Sequence, residues 1–201
     1  MKKFSALVLF WALVISPIFA QNKRVNAKVT VTQIEDVVRK EFGDQVKAQT
    51  ALNSEPFYLL GDFNGDGHPD IAVLVNVEEG RAELKQHGVK YLDTDPYSRT
   101  NGSEINPLSA MGHNCIGIAI IHGTAVGWNV PHPAAKFLVY DCFSAFRLFR
   151  KGLRIRRGSG SQGTTPKPKG DSIFLDLETG GTSLIYWNGR TYRGFGLRGG
   201  D

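Results

Sequence analysis

The sequence lacks the motifs and patterns of several large protein classes. It contains no G-x-S-x-G or P-loop motif, and its glycine-rich run at residues 158–163 is serine-rich and has no predicted helix after it, so the sequence gives no sign of a hydrolase nucleophile elbow or a phosphate-binding glycine loop. Long helical periodicity does not recur along the chain, which argues against a doubly wound α/β fold. With 41% hydrophobic and 21% charged residues in a chain of 201, the composition also excludes full disorder, collagen and a coiled coil.

Long apolar runs are confined to the N-terminus. Lys2 and Lys3 precede an apolar run at residues 4–15, which Ser16-Pro17 interrupts before Ala20. The run is shorter than the roughly 20 residues of a membrane span, and the pattern is typical of a secretory signal peptide cleaved after Ala20. No cysteine lies near the cleavage site, which argues against a lipoprotein anchor. We therefore expect a secreted or periplasmic protein without a transmembrane anchor.

The charge balance is only weakly basic once this segment is removed. Loss of Lys2 and Lys3 lowers the basic residues from 24 to 22 against 19 acidic residues, and the formal net charge from +5 to +3. Nucleic acid is also rarely met outside the cytoplasm, so the sequence does not predict a nucleic-acid partner.

Two cysteines remain in the mature chain, Cys115 and Cys142. In an oxidising compartment an even number of cysteines favours a disulfide, which here would enclose 26 residues. Two buried free thiols are the alternative, because the sequence does not show whether the two side chains face each other.

The pattern of elements predicts an α+β fold in one domain, residues 21–201. Thr32 and Glu35 have the spacing of a capping box, and apolar residues at helical spacing predict one amphipathic helix over residues 32–42. About seven short strands follow, so we expect this N-terminal helix to pack on a mainly antiparallel, loop-rich sheet. Polar stretches at residues 78–114 and 158–170 indicate flexible insertions, and Asn188-Gly189 predicts a hairpin near the C-terminus.

One motif carries specific chemistry, the acidic loop of residues 62–70. Oxygen side chains stand at its positions one, three, five and nine, and glycine stands at position six. Calcium takes six to eight hard oxygen ligands. Because three carboxylates in one small loop repel each other unless a cation neutralises them, we expect a calcium site rather than a plain turn. The predicted ligands are Asp62, Asn64, Asp66, the carbonyl of His68, and Asp70.

The spacing D-x-N-x-D-G-x-x-D, followed by the apolar run Ile-Ala-Val-Leu-Val, resembles the calcium loops of FG-GAP/VCBS repeats. The loop is not an EF-hand, since position 12 is Val73 rather than a bidentate glutamate. The resemblance covers residues 57–77 and implies a calcium loop between two strands. It does not imply a propeller, because the chain has one such loop and is too short for several blades. The C-terminal run Ile-Tyr-Trp-Asn-Gly-Arg-Thr-Tyr is similar to the ends of small exported bacterial proteins with one such loop.

Other groupings of reactive residues indicate catalysis only weakly. His113, His122, His132 and Asp141 lack the short spacings of a zinc site. Cys115 and His122 are seven residues apart on one predicted strand, which would place them on opposite faces. The sequence therefore favours a protein that is not an enzyme, although it leaves that question open.

Two surface features could bind a partner. A basic cluster at residues 147–157 indicates either an anion-binding surface or a solvated edge strand; its members are Arg147, Arg150, Lys151, Arg154, Arg156 and Arg157. Four aromatic residues could line a carbohydrate site or simply pack against a sheet; they are Trp128, Tyr186, Trp187 and Tyr192. The leading hypothesis is a small exported calcium-binding domain with a binding or structural role. The alternatives are an exported hydrolase on a calcium-stabilised scaffold and an envelope or adhesion module.

Overall fold

The computed structural model describes residues 29–50, 56–77, 81–93, 116–131, 133, 135–141, 143–155, 165–177 and 181–197. The signal segment, both cysteines, His113 and His132 lie outside these ranges. The elements are α1 (Val31–Phe42), β1 (Val46–Ala48), β2 (Tyr58–Gly61), β3 (Asp70–Val77), α2 (Arg81–Gln86), β4 (Lys90–Asp93), β5 (Ile116–His122), β6 (Ala135–Asp141), β7 (Phe143–Phe149), β8 (Ser172–Leu177), β9 (Thr182–Trp187) and β10 (Tyr192–Leu197).

The strands form two sheets, each from a continuous part of the sequence. The first sheet has the order β1-β3-β5-β6-β4. Strand β2 also pairs with β3, at the opposite end of β3 from β1. Its pairs are antiparallel except for the parallel pair of β4 and β6. The second sheet is an antiparallel meander with the order β10-β9-β8-β7.

The central strands β3 and β5 of the first sheet are buried on both faces. Ala72 and Leu74 of β3 belong to a core shared with the second sheet, whereas Ile71, Val73 and Val75 belong to a core shared with α1. A strand covered on both sides has no polar face, which explains the almost unbroken apolar runs of β3 and β5. The described elements therefore form three layers, with α1 on one face of the first sheet and the second sheet on the other.

Helix α1 begins at a capping box two residues earlier than the sequence spacing predicted. The Thr30 side chain accepts a hydrogen bond from the Gln33 N–H, and the Gln33 side chain accepts one from the Thr30 N–H. This start places Val29 just before the cap and Ile34 at the fourth helical position, and both belong to the core beneath the helix. Such an apolar pair fixes the entry of the chain into a helix, whereas a start at Thr32 would put Asp36 at the fourth position.

The predicted α+β fold, with one helix on a single sheet of about seven strands, is wrong. The structure is mainly β, and its described part has ten strands in two sheets and two short helices of 12 and 6 residues. Residues 81–93, which the polar composition placed in an irregular insertion, form α2 and β4. The sequence pattern identifies strands but not their partners, so the division into two sheets was missed.

Candidate functional site

The acidic loop joins β2 to β3, and the pairing of these strands brings its two ends together. Gly61, the last residue of β2, lies opposite Asp70, the first residue of β3. Asp62 and Asp70 are therefore fixed at the base of the loop by the sheet itself. The structure places all five predicted ligand residues in this one connection, between two strands as the motif indicates.

The polar side chains of the loop accept hydrogen bonds from its own backbone. The two carboxylate oxygens of Asp62 accept from the N–H groups of Gly65 at 2.7 Å and Gly67 at 3.0 Å. The side-chain amide oxygen of Asn64 accepts from the Asp66 N–H at 2.9 Å, and one Asp66 carboxylate oxygen accepts from the His68 N–H at 2.8 Å. These bonds satisfy the amides of a tight turn and hold the oxygen-bearing side chains within the loop.

Asp70 differs from the other loop carboxylates because it is completely buried. One of its oxygens accepts from the N–H groups of Phe63 and Asn64, and the other accepts from the Gly123 N–H at 2.7 Å. The pKa of Asp70 is raised to about 7, chiefly by burial and to a smaller extent by the nearby Asp66 charge, and the three backbone hydrogen bonds oppose this rise. Asp70 thus anchors the loop to the end of β5.

The donor chemistry of the loop fits a hard cation. Asp62, Asn64 and Asp66 are half-buried or exposed and bring five oxygens of the kind that calcium binds. Among the described residues, none of the three loop aspartates forms an ion pair with a basic side chain. The same part of the chain contains no group of three or more His, Cys, Asp or Glu side chains arranged to hold a metal ion. The loop therefore supplies suitable ligands in an arrangement closed by amide hydrogen bonds.

Asp171 is a residue of this site that the sequence analysis missed. Its carboxylate accepts from the Asp62 N–H at 3.2 Å, from the Lys151 N–H at 2.8 Å and from the Arg150 guanidinium at 2.9 Å. Its own N–H donates to the Asp62 carbonyl at 2.7 Å. Asp171 is only 7% exposed, whereas the Arg150 side chain that pairs with it is 62% exposed. No spacing rule links it to a loop more than a hundred residues away, so only the fold reveals it.

Two glycines allow the loop to touch the chain before β8 directly. A Cβ atom on Gly65 would lie closer than 3.0 Å to the carbonyl oxygen of Lys169, and one on Gly170 would lie equally close to the carbonyl oxygen of Asp62. Only glycine permits such a close approach of two backbones. The acidic loop of the first sheet and residues 169–171 of the second sheet are therefore one packed unit.

Of the three histidines considered for a zinc site, only His122 lies within the described residues. His122 is 3% exposed, and its Nε2 lies 2.7 Å from the hydroxyl of buried Tyr192. The rings of Phe137 and Trp187 pack against it at centroid distances of 5.0 and 5.1 Å. Burial lowers the pKa of His122 to about 4, so the ring is neutral at pH 7. His122 is a core residue of the inter-sheet aromatic cluster.

The aromatic residues considered for carbohydrate binding are also separated. Trp128 belongs to the core on the α1 side of the first sheet, whereas Tyr192 belongs to the core between the sheets. Trp187 packs against Tyr192, and Tyr186, the next residue of β9, is half-buried. A single aromatic platform formed by these four residues is therefore not present.

The basic cluster is divided by the fold. Strand β7 ends at Phe149, so residues 151–155 form a turn and coil rather than the predicted alternating strand. Arg147 is paired with Asp176 at 2.6 Å and Arg150 with Asp171 at 2.9 Å. Arg156 and Arg157 lie outside the described residues. Lys151 and Arg154 are exposed and form no ion pair within the part of the chain that is described.

Comparison of this chain with protein-family models, curated proteins and solved structures found no match. Of the helices in the described ranges, none is both long and apolar enough to cross a membrane.

Proposed function

We propose that this protein is an exported domain whose acidic loop binds one structural calcium ion. The observation that carries this proposal is the concentration of three carboxylates in nine residues without a basic partner among the described side chains. The residues that would hold the ion are Asp62, Asn64, Asp66, the His68 carbonyl and Asp70. The resemblance of residues 57–77 to FG-GAP/VCBS calcium loops supports the same assignment, and the sequence of residues 1–20 supports export.

The role of the ion follows from the position of the loop between the sheets. Asp66 raises the pKa of Asp70, and the charges of Asp70 and Asp62 raise the pKa of Tyr192 further above the level set by burial. The negative charges of the loop aspartates therefore act on Tyr192, a residue of the core between the sheets. A bound cation supplies positive charge there, and the loop then holds residues 169–171 more firmly. This makes the proposed ion a structural element.

The hydrolase alternative would require His or Asp side chains gathered in a pocket beside the loop. Two cavities in the described part of the chain, of about 310 Å³ beside Glu41 and about 920 Å³ beside Lys151, are lined by neither a histidine nor an aspartate. His122, the histidine whose neighbour Gly123 contacts Asp70, is buried against aromatic rings. We therefore favour a binding or structural role over hydrolysis.

Thermal and urea unfolding of the mature chain, in calcium and in chelator, test the calcium proposal. At free calcium about 100 times Kd, binding adds about 2.7 kcal/mol to the free energy of unfolding. Sites of extracellular modules often have Kd of about 10⁻⁴–10⁻³ M. Asp66→Asn should lose most of this gain. Asp36→Asn, which alters an exposed carboxylate on α1, should keep it.

An unchanged wild-type midpoint in calcium would show that the loop is only a turn. An equal shift in magnesium would mean that the ligand set is not the one we infer for calcium. Export is tested separately by mass spectrometry of the secreted or periplasmic protein, which should begin at Gln21. Recovery of the chain with Met1 in a membrane fraction would contradict export.

A further inference from the structure

A groove runs between the two segments that connect β7 to β8. One wall is residues 151–155, which leave β7, and the other is residues 165–168, which lead towards β8. The groove encloses about 920 Å³ and is lined by described residues only. It lies outside the acidic loop and shares none of the proposed calcium ligands.

The groove carries positive charge that no described residue neutralises. Lys151 and Arg154 stand on one wall and Lys167 on the other, all three are exposed, and no acidic residue lines the groove. None of the three forms an ion pair within the described ranges, in contrast to Arg147 and Arg150. Concave surfaces lined by one sign of charge concentrate counter-ions of the opposite sign. The groove is therefore expected to concentrate anions between its two walls.

The second wall is stiff without being part of a sheet. Pro166 and Pro168 flank Lys167, and proline fixes its own φ while it biases the preceding residue towards extended backbone. The first wall is held at its base, because the Asp171 carboxylate binds the Lys151 N–H and the Arg150 side chain. Groups fixed in advance lose less conformational entropy when a ligand binds. The backbone positions from which the cationic side chains project are thus restrained on both walls.

The walls also offer apolar contact between the charges. Leu153 is 55% exposed, and Pro166 and Pro168 are half-buried in the groove. A chain with regularly spaced anionic groups could contact these surfaces with its backbone and the cations with its charges. A small anion suits the site less well, because the three cationic groups are solvent-exposed and divided between two walls. A flat membrane suits it less well because the surface is concave.

We propose that this groove binds a linear polyanion, with Lys151, Arg154 and Lys167 as the contacting cations. Such a polyanion is a flexible chain that carries carboxylate or phosphate groups along its length. The proposed site spans two segments of the chain. It uses Lys151 and Arg154 from the basic cluster and adds Lys167, which the cluster does not contain.

The test measures binding of the mature chain to fluorescent poly-L-glutamate and, separately, to inorganic polyphosphate, at low and moderate salt and in chelator. Chelator makes the result independent of the calcium proposal. Lys151→Gln/Arg154→Gln/Lys167→Gln should weaken binding by at least about tenfold, because three exposed charge contacts are lost. Arg39→Gln/Lys85→Gln/Arg193→Gln removes the same charge from exposed positions elsewhere and should weaken it by less than about threefold. Unfolding midpoints confirm that both variants are folded.

Binding to one polymer alone identifies the anionic group, and binding to both indicates recognition of linear charge. Three outcomes would overturn the proposal. The first is that the wild type binds neither polymer, and the second is that the two triple variants bind equally. The third comes from a parallel measurement with anionic phospholipid vesicles. If the wild type binds only these vesicles and the groove variant does not, the groove is a membrane-contact surface.

Discussion

Asp62 and Asp171 are joined by two reciprocal hydrogen bonds, although they are 109 positions apart in the sequence. The N–H of each residue donates to the other, at 3.2 Å to the Asp171 carboxylate and at 2.7 Å to the Asp62 carbonyl. The pair connects the acidic loop of the first sheet to the start of β8 in the second. The Asp171 carboxylate also accepts a hydrogen bond from the Lys151 N–H at the base of the groove, so the two proposed sites meet at Asp171.

Replacement of Asp171 by asparagine should lower the free energy of unfolding by about 2 kcal/mol. Asparagine has one acceptor oxygen and cannot serve the N–H groups of Lys151 and Asp62 on opposite sides, and a buried unsatisfied donor costs about 1–3 kcal/mol. Asp176→Asn is the matched control, because its carboxylate is 34% exposed and its partner Arg147 is 62% exposed. Such a surface pair contributes about 0–1 kcal/mol. Equal losses in urea unfolding would contradict the role assigned to Asp171.

The two glycines with positive φ in the acidic loop should respond differently to alanine. Gly67 has φ +87°, and a Cβ atom added to it would meet no other atom within 4 Å, so Gly67→Ala should cost only about 1 kcal/mol of backbone strain. Gly65 has φ +78° and faces the Lys169 carbonyl, so Gly65→Ala should cost about 3 kcal/mol because overpacking is added to strain. Urea unfolding of both variants in chelator gives the comparison. Similar losses would mean that the loop does not pack on residues 169–171.

The stability of the protein should depend on the neutral state of His122. Its pKa is about 4 in the folded state and 6.5 in the unfolded state, so the unfolded state binds the proton first as the pH falls. The stabilisation is complete above pH 6.5 and declines by about 3 kcal/mol as the pH falls towards 4. His122→Gln, which does not titrate, should lack this decline. Because Asp70 contributes with the opposite sign, the measurement is the difference in unfolding free energy between wild type and variant across this range. A constant difference would contradict the inferred burial.

The sequence predicted local elements better than their assembly. The sequence signals of these elements lie in neighbouring residues: β3 and β5 are almost unbroken apolar runs, and the helix that ends before Gly43 has apolar residues at helical spacing. At the C-terminal hairpin, Asn188 accepts hydrogen bonds from the N–H groups of Arg190 and Thr191, and Trp187 pairs with Tyr192. The Asn-Gly signal thus located the turn.

What the sequence could not show depends on contacts between distant segments. Asp171 looks like an ordinary residue at the start of a strand, and Lys167 lies in a segment whose composition indicates a flexible loop. The neutralisation of Arg147 and Arg150 requires acidic partners on β8 or just before it, which no spacing within the basic cluster reveals. The acidic loop was recognisable because its carboxylate and amide side chains are close in sequence.

The division of the sheets along the chain has a consequence for folding. Strands β7 to β10 pair only with their neighbours in sequence, and contacts of low sequence separation form quickly because little loop entropy is lost. The first sheet requires more distant pairings, such as β3 with β5 across 38 intervening residues. We therefore expect the meander to assemble early and the contact between Asp62 and Asp171 to close last, as the two sheets dock. The hydrogen bonds between Asp62 and Asp171 would then be the last to form in folding and the first to break in unfolding.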